Sequence, residues 1–409
     1  MALIVAKFGG TSVADIERIE RAADKVAREV EAGHKVVVVV SAMSGVTNTL
    51  VGYCSDISPM HDLREYDTVV SSGEQITAGL MAMALQKRGV SARSWLGWQI
   101  PILTDNIHGK ARIENIDTEE LHKRLDSGEV AVVPGFQGVT EHNRVATLGR
   151  GGSDTSAVGL AAALKADRCD IYTDVSGVYT ADPRIVPAAK KIHKISYEEM
   201  LELASLGSKV LQTRSVEMGA KNGVPIQVLS SFEEDVGSAR KGTLVTTEDQ
   251  IMEQELVSGI AHNSDEAKIT VVGVEDVPGV AARLFDPLAK ASVNVDMIVQ
   301  NIATDGRTDM TFTVPRGELD LAVKTLKDDT GLSYSDIVVN DNLAKISVVG
   351  IGMKSHAGVA NTMFRTLAEK NINIHVISTS EIKISVLIEA DYTELAVRSL
   401  HAAYGLDES

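Results

Sequence analysis

The stretch Lys268-Ile-Thr-Val-Val-Gly-Val274 returns, little altered, as Lys345-Ile-Ser-Val-Val-Gly-Ile351. With a two-residue insertion, Gly279-Val280-Ala281 then meets Gly358-Val359-Ala360, Leu288-Ala289 meets Leu367-Ala368, and Val293-Asn294-Val295 meets Ile372-Asn373-Ile374. A unit of about 75 residues present twice is a duplicated small domain, since a solenoid needs at least about three repeats to bury its faces. Copy one reads strand 268–274, helix 280–291, strands 295–302 and 307–314, helix 317–328, strand 333–339. That order is βαββαβ, the ferredoxin-like arrangement. Copy two reads strand 345–351, helix 358–370, strands 374–379 and 382–389, helix 392–403, and has no last strand. The strand-like segment 256–262 stands without a role just before copy one. The economical expectation is that it completes copy two.

The first 245 residues follow a different rule. Leu3–Phe8 reads as a buried strand, and Ile16, Ile19, Ala23, Val26, Ala27 and Val30 recur at helical spacing between Asp15, a plausible N-cap, and Gly33. Val36–Val40 is apolar at every position, as a strand covered on both faces should be. The alternation continues with helix 76–87 before strand 92–96, helix 118–127 before strand 130–134, and helix 156–165 before strand 168–172. Strands alternating with helices predict an α/β fold, a mainly parallel sheet sandwiched by helices. Ligands bind such sheets at the strands' carboxyl ends. The small-residue segments after Phe8, Val40, Pro134 and Tyr172 are therefore the places to look. The expected division is 1–250 for this domain, 263–340 for copy one and 341–409 for copy two.

Composition narrows the partners. Lys+Arg total 40 against 56 Asp+Glu, a formal charge of −16, which disfavours a nucleic acid or an anionic membrane as main partner. Two cysteines, Cys54 and Cys169, make no disulfide framework and no zinc spacing, which suits a reducing compartment. The longest strongly apolar run, Val36–Val40, falls far short of the roughly 20 residues a membrane span needs. The N-terminal residues lack a basic leader with a long apolar stretch. A cytoplasmic location is expected.

Three segments carry chemistry. Lys7-Phe8-Gly9-Gly10-Thr11-Ser12 puts glycines directly after a buried strand, where backbone N–H groups can approach a phosphate and Lys7 adds charge. Read blandly, it is a glycine turn beside a surface lysine. No GxxxxGK[ST] and no GxGxxG occurs, which disfavours a P-loop or a dinucleotide fold. Leu148-Gly149-Arg150-Gly151-Gly152-Ser153-Asp154 precedes a helix. Its glycines form an anion nest backed by the helix dipole, Arg150 offers a fork to a carboxylate, and Asp154 is able to orient a lysine or hydrated Mg²⁺. The bland reading is a helix start capped by Ser153 or Asp154. Tyr172 through Arg184 places Asp174 at a strand end and Asp182 before Pro183, suited to ribose hydroxyls or to a plain Asp/Gly/Pro turn. Glu74 alone is a helix-start acid or a partner for an amino group. Lys209 alone is a solvated lysine or a second phosphate contact. The ten histidines show no HExxH or HxxEH spacing, so structural zinc is not expected.

Taken in order, these segments resemble the aspartate kinases of the amino-acid kinase family. The resemblance rests on 7–12, Ser-Ala-Met-Ser-Gly-Val-Thr at 41–47, Gly-Glu at 73–74, Gly-Arg-Gly-Gly-Ser-Asp at 149–154 and 172–184, and the duplicated tail resembles the paired ACT domains of the same enzymes. It implies ATP-dependent phosphorylation of the L-aspartate side-chain carboxylate to 4-phospho-L-aspartate, the first step towards lysine, threonine and methionine, with Mg²⁺ carried mainly by ATP. By that analogy Lys7, Gly9, Gly10, Gly151 and Gly152 hold the β/γ-phosphates, Phe8, Lys209 and Val210 belong to the ATP site, and Asp154 orients Lys7 and the metal shell, with Lys7, Asp154 and Lys209 as the catalytic set. Thr173, Asp174, Tyr179, Asp182 and Arg184 line the nucleoside. Ser41, Thr47, Glu74, Arg150, Gly151 and Ser153 bind aspartate, with Arg150 on a carboxylate and Glu74 on the ammonium. Lysine and/or threonine are the implied effectors, at Asp276, Gly279, Val280, Asn294 and Gln300 in copy one and at Gly358, Val359, Asn373 and Ile374 in copy two. Asp276 suits an effector ammonium, which favours copy one. A homo-oligomer through the ACT units, or an α₂β₂ assembly with a subunit started at Met252, is also implied. The alternatives are a sister kinase acting on glutamate, acetylglutamate or carbamate, and a non-catalytic amino-acid sensor that kept the kinase fold.

Overall fold

A computed structural model describes residues 1–206, 210–234, 242–251, 256–301, 306–329, 331–354, 356 and 358–407. They form two compact units: Met1–Tyr179 with Lys191–Glu253, and Thr180–Lys190 with Gln254–Ser409.

The first unit is built on an eight-stranded sheet in the order Lys194–Ser196, Thr243–Thr246, Ile226–Ser230, Arg168–Thr173, Leu3–Phe8, Lys35–Val40, Val130–Pro134, Ala92–Ser94. Every pairing is parallel except that of Ile226–Ser230 with Thr243–Thr246. The valines at 36–40 are all essentially inaccessible, because helices cover both faces. Helix Ile16–Glu31 starts where Asp15 accepts the Arg18 N–H at 2.8 Å and is followed by Gly33 at φ 84°. Helix Ser72–Lys87 presses Met81 and Leu85 onto the same sheet face.

Two departures from the sequence reading matter. Helix Gly152–Leu164 begins four residues earlier than 156. Its glycines read locally as turn, but the element is buried almost throughout, so packing overrides their low helix propensity. A second sheet, Ile113–Ile116, Ile102–Thr104, Gln137–Thr140, Val145–Thr147, has strands of three or four residues, too short to show a period.

In the second unit a six-stranded sheet runs Asp296–Gln300, Arg307–Val314, Gly259–Glu275, Asp336–Val349, Lys383–Glu389, Val376–Thr379. The segments expected as 333–339 and 345–351 are one strand, and so are 256–262 and 268–274. Cross-strand pairing carries each through the Asn/Asp-rich stretch that reads as a turn. Gly259–Asn263 pair with Val349–Lys345, while Glu266–Val272 pair with Leu343–Asp336. Each long strand thus serves both copies, and 259–263 stands as the fourth strand of copy two. Copy one packs helices Val280–Lys290 and Leu319–Asp328 over Ile269, Val271 and Phe312. Copy two packs Val359–Glu369 and Thr393–Ala403 over Ile346, Val348 and Val386. Among the described residues no helix is long and apolar enough to cross a membrane.

Candidate active site

The carboxyl ends of Leu3–Phe8, Lys35–Val40 and Arg168–Thr173 open on a cleft of about 480 Å³ in the first unit. Lys7 is the last residue but one of its strand and is 8% exposed. Its Nζ lies 2.6 Å from Asp154 Oδ1, so the cleft floor holds an ion pair shielded from water on most sides. Gly9 follows, its N–H donating to the Tyr172 carbonyl at 3.1 Å. A Cβ on Gly10 would stand 3.1 Å from the Ala42 carbonyl. Glycine lets these two strand-end turns approach closely; the Gly9 N–H is already spent on Tyr172, which leaves the Gly10 end of the turn to face an anion.

The opposite wall is the start of helix Gly152–Leu164, with Gly151 at φ 72° as its N-cap. Ser153 and Asp154 occupy the first turn rather than the cap; the Gly152 and Asp154 N–H groups donate to the Gly149 and Gly151 carbonyls, and the helix turns the positive end of its dipole on the cleft. A Cβ on Gly135 would lie 2.8 Å from that of Ser153, so the turn after Val130–Pro134 sits directly against this helix start. Arg150 projects, exposed, at the rim.

At the far end stands Glu74, 4% exposed in the first turn of helix Ser72–Lys87. Oε1 accepts the Ala42 N–H at 3.0 Å, while Oε2 is buried with no partner among the described residues. Burial pushes this carboxyl up to about 7, with the backbone hydrogen bonds pulling the other way. A buried acceptor lacking a donor is costly, and an ammonium group would satisfy it. Ser41 and Thr47 line the same end.

The structure gathers Lys7, Gly9, Gly10, Ser41, Thr47, Glu74, Arg150, Gly151, Gly152, Ser153, Asp154, Thr173 and Val210 around one cleft. Others lie elsewhere. The Phe8 ring stacks on Tyr172 in the core, centroids 4.6 Å apart. Asp174 is exposed and accepts from Thr173 Oγ1 at 3.2 Å, and Tyr179 Oη pairs with Ser176 Oγ at 2.7 Å. Asp182 accepts from the Arg184 N–H and guanidinium in segment 180–190, which belongs to the second unit. The local Asx turn consumes the groups that the resemblance assigns to the nucleoside. Lys209 and Met252 lie outside the described residues. Phe136, absent from the sequence reading, lines the cleft at φ 70°. Its only sequence signal was the Pro134-Gly135 strand end. No group of three or more metal-ligating side chains occurs among the described residues. The Asp154 carboxylate in this cleft is engaged by Lys7.

In the second unit Gln300 Nε2 approaches Asp276 Oδ1 at 3.4 Å, and Gly279, at φ 91°, opens helix Val280–Lys290. The Asn294 N–H donates to Glu318 at 2.9 Å. In copy two, Gly358 and Val359 line a cavity of about 490 Å³ with Met353, His356, Thr379 and Glu381, while Asn373 and Ile374 lie outside its lining.

Residues 2–230 match the amino acid kinase family, and 269–329 and 346–404 match the ACT domain, so the class is a kinase carrying paired ACT units. The aspartate kinase of Pseudomonas putida is 56% identical over 409 residues, spanning 100% of this chain and 98% of its own. The structure of E. coli aspartokinase III in complex with aspartate and ADP (R-state) superposes with TM-score 0.81 at 28% identity, covering 98% of this chain and 99% of that one. The same enzyme in complex with lysine and aspartate (T-state) gives 0.76 at 28% identity, with coverage of 98% and 99%. The chain belongs to the aspartokinases of the amino acid kinase family.

Proposed function

We propose that this chain transfers the γ-phosphoryl group of ATP to the side-chain carboxylate of L-aspartate, giving 4-phospho-L-aspartate and ADP. The observation that carries the reading is the Lys7–Asp154 pair, set between two glycine turns, with Arg150 and Glu74 lining the same cleft. The acceptor is already ionised at neutral pH and needs no base. A carboxylate oxygen forms the new bond to the γ-phosphorus as the bond to the β,γ-bridging oxygen breaks, and ADP leaves with that electron pair. Catalysis is then the work of bringing two anions together and stabilising the charge in flight. Lys7 and the glycine turns at 9–10 and 151–152 serve the phosphates, Gly9 and Gly152 by close backbone approach, since their own N–H groups donate to the Tyr172 and Gly149 carbonyls. Lys209 would add a second cation. Arg150 holds a substrate carboxylate, Glu74 its ammonium, and Ser41, Thr47 and Ser153 donate to it. Thr173 and Val210, which line the cleft, face the nucleotide. Mg²⁺ bound to ATP supplies charge neutralisation, and Asp154 keeps Lys7 aimed.

The paired ACT units serve feedback by lysine and/or threonine; lysine is bound in the T-state relative, which supports the reading. Among the described residues the copy-two cavity makes that copy as good a candidate as the Asp276 end of copy one. A cytoplasmic enzyme that assembles through these units is part of the proposal, and elution size reads the assembly. Hydroxylamine trapping with Mg-ATP tests the reaction. Aspartyl hydroxamate from L-aspartate, suppressed by lysine plus threonine, is expected. Product from glutamate or N-acetylglutamate instead would move the chain to a sister kinase, and no product would leave an amino-acid sensor.

A further inference from the structure

The turn that presents Arg150 is gripped from behind by a guanidinium with no part in the reaction just described. Arg214 stands in the first turn of helix Thr213–Asn222. Its Nη1 donates to the Leu148 carbonyl and its Nη2 to the Ala111 carbonyl, both at 2.9 Å. Those carbonyls sit on adjoining stretches, because the Ala111 N–H donates to the Thr147 carbonyl at 2.9 Å. One planar fork thus staples the segment that leads into Gly149-Arg150-Gly151 to the stretch at Ala111 beside it, a geometry a lysine ammonium does not reproduce.

The turn is closed by one backbone hydrogen bond, from the Gly152 N–H to the Gly149 carbonyl at 3.0 Å, and its residues add little stiffness of their own. Gly149 and Gly151 flank Arg150 at φ 78° and 72°, and glycine is the residue with most backbone freedom to lose. Arg150 is exposed, so its aim depends on what clamps the turn. The residue two before Arg214 clamps the other side: a Cβ on Gly151 would fall 1.8 Å from Cγ of Gln212. The Gly109 carbonyl closes in on Gly149, 3.2 Å from where its Cβ would be. Arg214 keeps its charge at some cost. Burial and the neighbouring Arg112 push its guanidinium below the usual arginine range, against Asp105 and Glu217. An apolar side chain of similar volume would avoid that penalty.

We infer that Arg214 is a positioning residue for the acceptor end of the cleft, fixing through the Leu148 and Ala111 carbonyls the place where Arg150 meets the carboxylate substrate. The inference rests on the reading of Arg150 as that partner. In the full-length chain, Arg214→Met should raise the aspartate KM about tenfold, since displacements near 1 Å at a positioned group cost one to two decades. The MgATP KM should barely move. Arg214→Lys, retaining the charge and one prong, should fall between. On an Arg150→Gln background, Arg214→Met should add little further loss, because the residue it positions is gone. A purely structural arginine would lower the melting temperature and leave the aspartate KM alone, and that result overturns the inference, as does full multiplication of the two effects. Should Arg214→Met fail to fold, a wild-type aspartate KM in Arg214→Lys overturns it equally. Arg150→Gln with an unchanged aspartate KM would instead bring down the reading of the site itself.

Discussion

Glu74 titrates where the enzyme works. Burial holds its proton to about pH 7, so below that pH an incoming ammonium meets a neutral acid. The aspartate KM should therefore rise as pH falls through 7, and Glu74→Gln should flatten the profile while raising KM throughout; steady-state kinetics between pH 6 and 9 checks both. The same proton acts on stability. The unfolded chain releases it near 4.5 and the folded one near 7, so the contribution is complete below the lower value and is lost as pH rises through the upper one. Glu74→Gln should be the more stable protein at pH 8, by an upper bound of about 3 kcal/mol, read from denaturation midpoints at pH 5 and 8. Lys7 and Asp154 make a second residue-scale case. Lys7→Met should cut kcat by about 10² to 10³ and also destabilise, because it strands a buried carboxylate. Adding Asp154→Asn should restore the melting temperature and leave the activity lost.

Elements decide which glycines matter. Gly151 and Gly33 both have positive φ, yet a Cβ on Gly33 meets open space, whereas one on Gly151 collides with Gln212. Gly33→Ala should cost only the left-handed penalty of about 1 kcal/mol and keep full activity. Gly151→Ala should displace the helix start that lines the cleft and lose activity at least about tenfold, measured as kcat/KM for both substrates. The elements also mark where sequence reading stops. The apolar strands at 36–40 and 130–134 announced themselves because double coverage leaves no polar position, and 3–8 is interrupted only by Lys7 at its cleft end. The Gly-Gly of 151–152 looked like loop, since nothing local says that the following helix is buried enough to absorb them. Phe136 gave almost no signal because its backbone conformation is imposed by neighbours distant in sequence. At Asp182 and Arg184 the residue types suited a nucleoside, but a two-residue turn uses them first, and composition alone does not rank those claims.

At the scale of the whole molecule, the shared strands of the second unit tie its two copies into one cooperative body. Lys345 shows the joint: buried in copy two's first strand, it contacts Glu266 at 2.6 Å and Asp296, in copy one, at 2.8 Å. Lys345→Met strands a buried Glu266 and should cost about 3–5 kcal/mol. Calorimetry should show one transition for both copies moving together, with aspartate kinetics in the absence of effector unaltered; two separate transitions would refute the coupling. The order of that sheet has a consequence for how the chain is made and divided. Copy one lies inside copy two as a clause lies inside brackets, opened by 259–263 and closed only when 345–349 arrives. A ribosome must finish the inner clause before the outer one has its first full strand pair. A gene that encoded this tail alone would have to begin upstream of Gly259, and a cut between the copies would yield one whole domain and one that never closes.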